Sequence, residues 1–151
     1  MGHTERMNTK KLIVILWITA LSVPLFTTNL EALANGQGVH FSWQGTPVWL
    51  SFFNMNDLTD IHPYFVVVKL GHFLGFAILD LCLLLSFRNH RTAFIFSFSF
   101  AVTSEILQLF MGRDGRLYDV AIDTFGIVAM IIFVKGISFL RNTAKEQHRT
   151  T

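Results

Sequence analysis

Four long apolar segments divide this sequence, at residues 12–28, 64–87, 92–111 and 117–140. A helix needs about 20 mostly apolar residues to cross the roughly 30 Å hydrocarbon core of a bilayer, and each segment is close to that length. In lipid every backbone N–H and C=O group needs a partner within the chain, so these segments can cross only as helices. Charged residues make up 15% of the chain, against roughly 25% in a soluble domain. The sequence therefore predicts an all-α membrane protein with four transmembrane helices.

Lysine and arginine are unevenly distributed between the connecting segments. They occur in the tail 1–11, in the turn 88–91 and in the tail 141–151, whereas the loop 29–63 has none. Short cytoplasmic segments carry an excess of these two residue types. We therefore predict that both termini are cytoplasmic and that loop 29–63 is extracytoplasmic. The arginines of "GRDGR" then lie on the disfavoured outer side, which indicates that a local partner holds them there.

The first apolar segment has two interpretations. Lys10 and Lys11 precede an apolar run, and Ala32 and Ala34 follow it, as in a signal peptide with its cleavage site. The run and the polar spacer after it are both long for a signal peptide, so a retained helix is favoured. Pro24 is tolerable as a kink near the outer end of such a helix.

The outer loop contains the aromatic stretch "FSWQGTPVWLSFF". Tryptophan and phenylalanine suit a segment that lies at the level of the lipid headgroups. A loop packed over the helix bundle would need the same residue types. Both arrangements are consistent with the sequence.

Polar side chains occur at similar depth in the last three spans. Counted at about 1.5 Å per residue, they lie within roughly 12 Å of the outer end of each helix. Within each span they are spaced i,i+3 or i,i+4, which places them on one helical face. Together with two arginines of the turn between the last two spans, they form a predicted polar cluster in the outer leaflet: Lys69, His72, Glu105, Gln108, Arg113, Arg116, Asp119 and Asp123.

The polar cluster contains three positive and three negative charges, so we predict that it neutralises itself. An isolated ion at membrane depth costs from about 2.5 to more than 10 kcal/mol, and such residues normally pair. Gly71, Gly75 and Gly126 are predicted to allow close helix packing around the cluster. Asp80 lies farther along the second span, and we predict a separate pair with Lys135.

Two stretches, "VKLGHFLGFAIL" and "SEILQLFMGRDGRLYDVAIDTFG", resemble the VanZ-like family, which is named after the accessory protein of glycopeptide-resistance clusters. The chain departs from the family pattern at Asp123, where Asn is usual, and this adds a negative charge or a proton to the site. The resemblance covers roughly the last 90 residues and implies a multi-pass protein of the bacterial cell membrane, with a VanZ-like three-helix core at 64–140. The matching residues are Lys69, His72, Phe73, Glu105, Gln108, Arg116, Asp119 and Gly126.

What the resemblance implies about function is a role in glycopeptide tolerance or wall-lipid handling. The member that gives the family its name confers low-level resistance to teicoplanin, a lipid-tailed glycopeptide. Besides the lipid bilayer, the implied partner is an amphipathic envelope ligand: a lipid-linked wall precursor, a lipoteichoic chain or a lipoglycopeptide. Our prediction is that the polar cluster binds such a ligand. An intramembrane enzyme acting on a lipid-linked precursor and a purely structural ion-pair network are the alternatives.

Several other functions find no support in the sequence. No Cys-His-Asn or G-x-S-x-G arrangement fixes a reaction class, so we do not predict an enzyme. His72, Glu105, Asp119 and Asp123 are suitable donors for a divalent ion. However, no H-E-x-x-H motif is present and nearby cations would repel the ion, so we predict no metal and no cofactor. The basic residues are scattered, which argues against nucleic-acid binding.

Overall fold

The computed structural model describes residues 2–56 and 63–150; residues 57–62 of the predicted outer loop lie outside this part. The described chain forms five α-helices and a short 3-10 turn. Four of the helices, α1, α3, α4 and α5, are long and apolar enough to cross a membrane. The predicted fold class is confirmed, and the cytoplasmic placement of both termini stays a prediction. The elements are α1 (Gly2–Phe26), α2 (Leu30–Ala34), the 3-10 turn (Trp49–Phe53), α3 (Pro63–Phe87), α4 (His90–Phe110) and α5 (Leu117–Thr150).

The helix ends follow local sequence signals. Asn89 caps α4, because its side-chain oxygen accepts hydrogen bonds from the N–H groups of Arg91 and Thr92 at 2.9 and 3.4 Å. Gly112, at φ 65°, ends α4 in the left-handed conformation that glycine adopts without strain. Neither glycine nor proline occurs in 141–150, and α5 continues through this predicted tail as a helix.

Helix α3 is central and packs against α1, α4 and α5. The fully buried side chains of Phe76 and Leu79 lie on α3 and that of Ile127 on α5. Helix α1 adds Leu25 to this core, and its Trp17 donates an indole hydrogen bond to the Gly75 carbonyl at 3.0 Å. The first span is therefore packed on α3 and α4 and is not a detached anchor.

Two of the three glycines predicted to allow close packing do so. A Cβ on Gly126 would collide with the carbonyl oxygen of Phe73, so α5 crosses α3 backbone to backbone. A Cβ on Gly75 would lie 2.7 Å from a methyl group of Leu21 on α1. The prediction is wrong for Gly71, because no atom lies within 4 Å of the position that its Cβ would take.

Gly126→Ala is expected to destabilise the bundle by about 1–3 kcal/mol, since the added methyl group meets backbone that can move only with the whole helix. Gly136→Ala is the matched control, because it lies on the same helix with no atom within 4 Å of the new Cβ. Thermal unfolding of both variants in detergent micelles measures the difference. An equal Tm for the two variants would contradict the close crossing of α3 and α5.

Asp80 pairs differently from our prediction. Its Oδ1 accepts a hydrogen bond from Ser97 Oγ of α4 at 3.4 Å, and its side chain is completely buried. Lys135 is exposed, and its side chain makes no ion pair with Asp80. The predicted pair between Asp80 and Lys135 is therefore wrong. A hydroxyl on the neighbouring helix takes the place of the lysine.

The aromatic loop packs over the end of the bundle. Trp43 stacks on Phe110 at the end of α4 with ring centroids 5.5 Å apart, and Trp49 meets the same ring edge-on at 5.8 Å. The main-chain N–H of Gln44 donates to the Phe110 carbonyl at 2.6 Å. Of the two arrangements that the sequence allowed, packing over the helix ends is observed. This loop covers the region in which the polar cluster lies.

Candidate functional site

The predicted polar cluster lies where α3, α4 and α5 meet, beside the turn that joins α4 to α5. Its members come from three separate helices and the turn. Lys69 and Arg113 are half-buried. The other six are buried, although all are polar or charged: His72, Glu105, Gln108, Arg116, Asp119 and Asp123.

At the centre of the cluster, one side chain from each of the three helices forms a carboxylate–histidine triad, consisting of His72, Glu105 and Asp123. His72 Nδ1 lies 3.1 Å from Asp123 Oδ1 and 3.7 Å from Glu105 Oε1. Both carboxylates are completely inaccessible to solvent. Within the described part of the chain, the basic side chain that contacts them is His72.

Next to the triad, Lys69 and Asp119 form an ion pair that joins α3 to α5. Lys69 Nζ lies 2.6 and 2.7 Å from the two carboxylate oxygens of Asp119. The ammonium group also lies 4.9 Å from the ring centroid of Phe65 and 4.7 Å from that of Tyr118. These rings add cation–π attraction and shield the pair from solvent.

The two arginines of the turn hold main-chain oxygens. Arg113 Nη1 donates to the carbonyls of Pro24 and Thr27 at 2.7 and 3.0 Å, so it satisfies acceptors at the C-terminal end of α1. Arg116 Nη1 donates to the carbonyls of Ser51 and Asn54 in the outer loop, at 3.1 and 3.4 Å. The arginines therefore attach the first helix and the loop to the turn. The local partners that the sequence predicted for this arginine pair are therefore main-chain carbonyls.

The predicted charge balance is realised only in part. Lys69 takes Asp119 as its partner, but Arg116 Nη2 pairs at 3.3 Å with Asp114, an exposed residue outside the polar cluster. The contact of Arg116 with Glu105 is through its main-chain N–H, which donates to Glu105 Oε2 at 2.9 Å. The pairing was not evident from the sequence because counting charges does not show which way a guanidinium points.

The turn from α4 to α5 depends on Gly115, which the sequence analysis did not single out. A Cβ at this position would collide with the main-chain carbonyl oxygen of Glu105. The absence of a side chain lets the turn lie against α4, so that the N–H of Arg116 reaches the Glu105 carboxylate. The main-chain carbonyl of Gln108 accepts hydrogen bonds from the main-chain N–H groups of Met111 and Arg113. The signal for this tight turn was the pair of glycines in "MGRDGR".

An apolar cavity of about 310 Å³ lies beside the polar cluster, between α1, α2 and α3. His72 and Arg113 are its ionisable lining residues, so the cavity and the cluster share two side chains. The short helix α2 closes one side, and the sequence analysis missed it because 29–63 was treated as loop. The missed signal was Asn29, whose side chain caps the apolar turn "LEALA". The apolar walls are formed by Leu21, Pro24, Leu25, Leu30, Leu33, Ala34, Val67, Val68 and Gly71.

Ser104 is the hydroxyl closest in sequence to Glu105. Its Oγ donates to the Ala101 carbonyl of its own helix at 2.9 Å. This is the local bond that serine commonly makes inside a helix, and it directs the hydroxyl to the backbone. The polar cluster therefore contains no hydroxyl from Ser104 that is positioned for nucleophilic attack.

Comparison with known proteins gives two matches. The family model described as VanZ/LLP1 matches residues 11–140. An uncharacterized membrane protein of Bacillus subtilis, YwnJ, is 34% identical over 118 residues, which are 78% of this chain and 84% of that protein. No solved structure matches. The family match includes most of α1, so it is longer than the resemblance of roughly the last 90 residues that the sequence shows.

Proposed function

The chain belongs to the VanZ/LLP1 family of membrane proteins, and from that premise we propose that it binds the acyl tail of an amphipathic envelope ligand and thereby contributes to teicoplanin tolerance. The observation that carries this proposal is the apolar cavity whose lining includes His72 and Arg113. Candidate ligands are a lipid-linked wall precursor, a lipoteichoic chain and a lipoglycopeptide. Each combines an alkyl chain with a polar, usually anionic, group.

The size of the cavity indicates which part of the ligand it holds. Small-molecule pockets have volumes of about 300–1,000 Å³, and 310 Å³ is at the lower limit. A whole lipoglycopeptide is far larger than this, whereas a segment of alkyl chain fits. Burial of each methylene group contributes about 0.8 kcal/mol. The cavity therefore supports binding through the tail, with the headgroup outside.

The charge at the cavity matches an anionic headgroup. Arg113 lines the cavity, and a guanidinium group is well suited to bind phosphate or carboxylate. We assign the ligand's anionic group to Arg113, which lines the cavity while it also donates to carbonyls of α1, and not to Arg116, which is not among the lining residues. Val67 also lines the cavity and is 66% exposed, so a lipid tail can enter beside it from the bilayer.

Gly71→Leu tests this proposal, because Gly71 lines the cavity and nothing lies within 4 Å of its future Cβ. The new side chain fills space in the cavity without a backbone clash. Exclusion of only two methylene groups costs about 1.6 kcal/mol, which lowers affinity by more than about tenfold. We expect fluorescein-labelled teicoplanin to bind purified wild-type protein in lipid nanodiscs and to bind Gly71→Leu at least that much more weakly.

The matched control is Gly136→Leu, a substitution of the same type on α5 at a position that is also open. It is expected to bind labelled teicoplanin as the wild type does. Competition with unlabelled undecaprenyl phosphate and lipoteichoic acid then ranks the three ligand classes. Equal binding by Gly71→Leu and Gly136→Leu would refute the cavity as the binding site.

A structural role of the polar cluster is the second candidate, favoured by the buried pair between Lys69 and Asp119. That role concerns α3 and α5 and leaves the cavity without a function. Gly71→Leu changes no residue of the polar cluster and breaks no observed hydrogen bond. Loss of binding in this variant, with unchanged thermal stability, therefore favours ligand binding over a purely structural role.

A further inference from the structure

The carboxylate–histidine triad leaves buried oxygens without hydrogen-bond partners. Among the described residues, Glu105 Oε1 and Asp123 Oδ2 have none, and both side chains are 0% exposed. Glu105 Oε1 faces His72 Nδ1 at 3.7 Å, beyond hydrogen-bond distance. Buried charged groups are normally paired or coordinate a metal ion. The triad therefore contains two fully buried carboxylate oxygens that lack a hydrogen-bond donor from the residues that the structure describes.

We propose that His72, Glu105 and Asp123 bind a divalent transition-metal ion, with Zn²⁺ and Mn²⁺ as the matching species. One nitrogen of the imidazole and one oxygen of each carboxylate all lie within 4.8 Å of one another. Ligand atoms bound at about 2.1 Å to a tetrahedral ion lie about 3.4 Å apart. The separations from His72 Nδ1, 3.1 Å to Asp123 and 3.7 Å to Glu105, are on either side of this value.

The composition of the triad selects the class of ion. Imidazole favours Zn²⁺ and other transition metals, and carboxylates also suit Mn²⁺. Two carboxylates carry the two negative charges that a divalent ion neutralises, whereas the imidazole binds as a neutral ligand. Three protein ligands leave a coordination position open for water or for an oxygen atom of a ligand.

The expectation of no metal rested on the absence of an H-E-x-x-H motif and on repulsion by two or three nearby cations, and the structure weakens the second argument. The Lys69 ammonium group is neutralised by both oxygens of Asp119. Arg113 donates to carbonyls at the end of α1, and Arg116 directs its guanidinium to the outer loop. Towards the triad, Arg116 presents a main-chain N–H that fixes the other oxygen of Glu105. Such an outer contact orients a metal ligand.

The test is metal binding by the full-length purified protein in detergent, without any lipid or antibiotic ligand. After removal of metal with EDTA, the wild type is expected to bind one Zn²⁺ or Mn²⁺ per chain in calorimetry and elemental analysis. Glu105→Gln and Asp123→Asn are each expected to lower the affinity by about tenfold or more, since each removes a charged ligand. Replacement by Co²⁺ should give a visible absorption band that both variants lose.

Asp80→Asn is the matched control, because Asp80 is an equally buried carboxylate on α3, bonded to Ser97 and outside the triad. This variant should keep the metal affinity of the wild type. Asp123→Asn preserves the size of the side chain, and its elution volume in size-exclusion chromatography checks that it folds. Binding of fewer than about one ion per ten wild-type chains, or an equal metal affinity in all four proteins, would overturn the proposed metal site. Teicoplanin binding plays no part in this measurement, so a negative result for metal binding leaves the acyl-tail proposal unaffected.

Discussion

Lys69→Ala is expected to lower the free energy of unfolding by about 3–5 kcal/mol, the largest stability effect among these predictions. The substitution leaves Asp119 buried, with its two carboxylate oxygens deprived of the ammonium group at 2.6 and 2.7 Å. Desolvation of an uncompensated charge costs more than the lost attraction alone. Unfolding of the purified protein in mixed micelles with increasing SDS measures the change. Lys135→Ala, an exposed lysine on α5, provides the control.

A double variant separates the pair from the rest of the cluster. Lys69→Met combined with Asp119→Leu removes both charges and fills the space with apolar atoms, so most of the lost stability should return. If Lys69→Ala lies within about 1 kcal/mol of Lys135→Ala, the ion pair does not stabilise the bundle. If the double variant is as unstable as Lys69→Ala, the instability does not arise from the unpaired charge.

Expression of the wild type in a susceptible Gram-positive host is expected to raise the inhibitory concentration of teicoplanin severalfold, and Gly71→Leu is expected to abolish this protection. The reason is that the new side chain occupies the cavity that would hold the acyl tail. Vancomycin, which has no such tail, should be equally active against every strain. Broth dilution measures susceptibility, and immunoblotting of membranes measures the abundance of each variant.

Gly136→Leu should protect as the wild type does, because its side chain projects from an open position on α5. Glu105→Gln adds a second comparison. Lost protection at unchanged abundance would make the buried carboxylate part of the working site, whereas a parallel fall in abundance and protection would indicate a structural role. A wild type that protects against neither drug would remove teicoplanin tolerance from the proposal.

For the polar cluster around the charged turn, the sequence predicted which residues take part but not how they pair. The spacing of Glu105 and Gln108 on one helix, and of Asp119 and Asp123 on another, identified side chains that are all buried together. The partners were less predictable. Arg116 was counted as a counter-ion of the cluster, but its guanidinium pairs with an exposed aspartate and two loop carbonyls.

The neighbours of the glycines and of the first helix were equally hard to predict from the sequence. Gly71 and Gly75 are one turn apart in "KLGHFLG", yet Gly75 receives a side chain of α1 and Gly71 opens onto a cavity. Their spacing on α3 does not show which neighbour lies above each residue. The cavity itself needs α2, a helix of five residues, whose apolar side chains line it together with side chains of α1 and α3.

The sequence by itself determined that this is a helical membrane protein with polar residues on three facing spans. Both properties are local, because the bilayer fixes the length of an apolar helix and the helical repeat fixes which residues share a face. Only the tertiary structure decided which charges meet, that an apolar cavity is lined by His72 and Arg113, and that His72, Glu105 and Asp123 converge. These contacts join residues far apart in the chain, and their geometry depends on how the helices are rotated and how closely they cross.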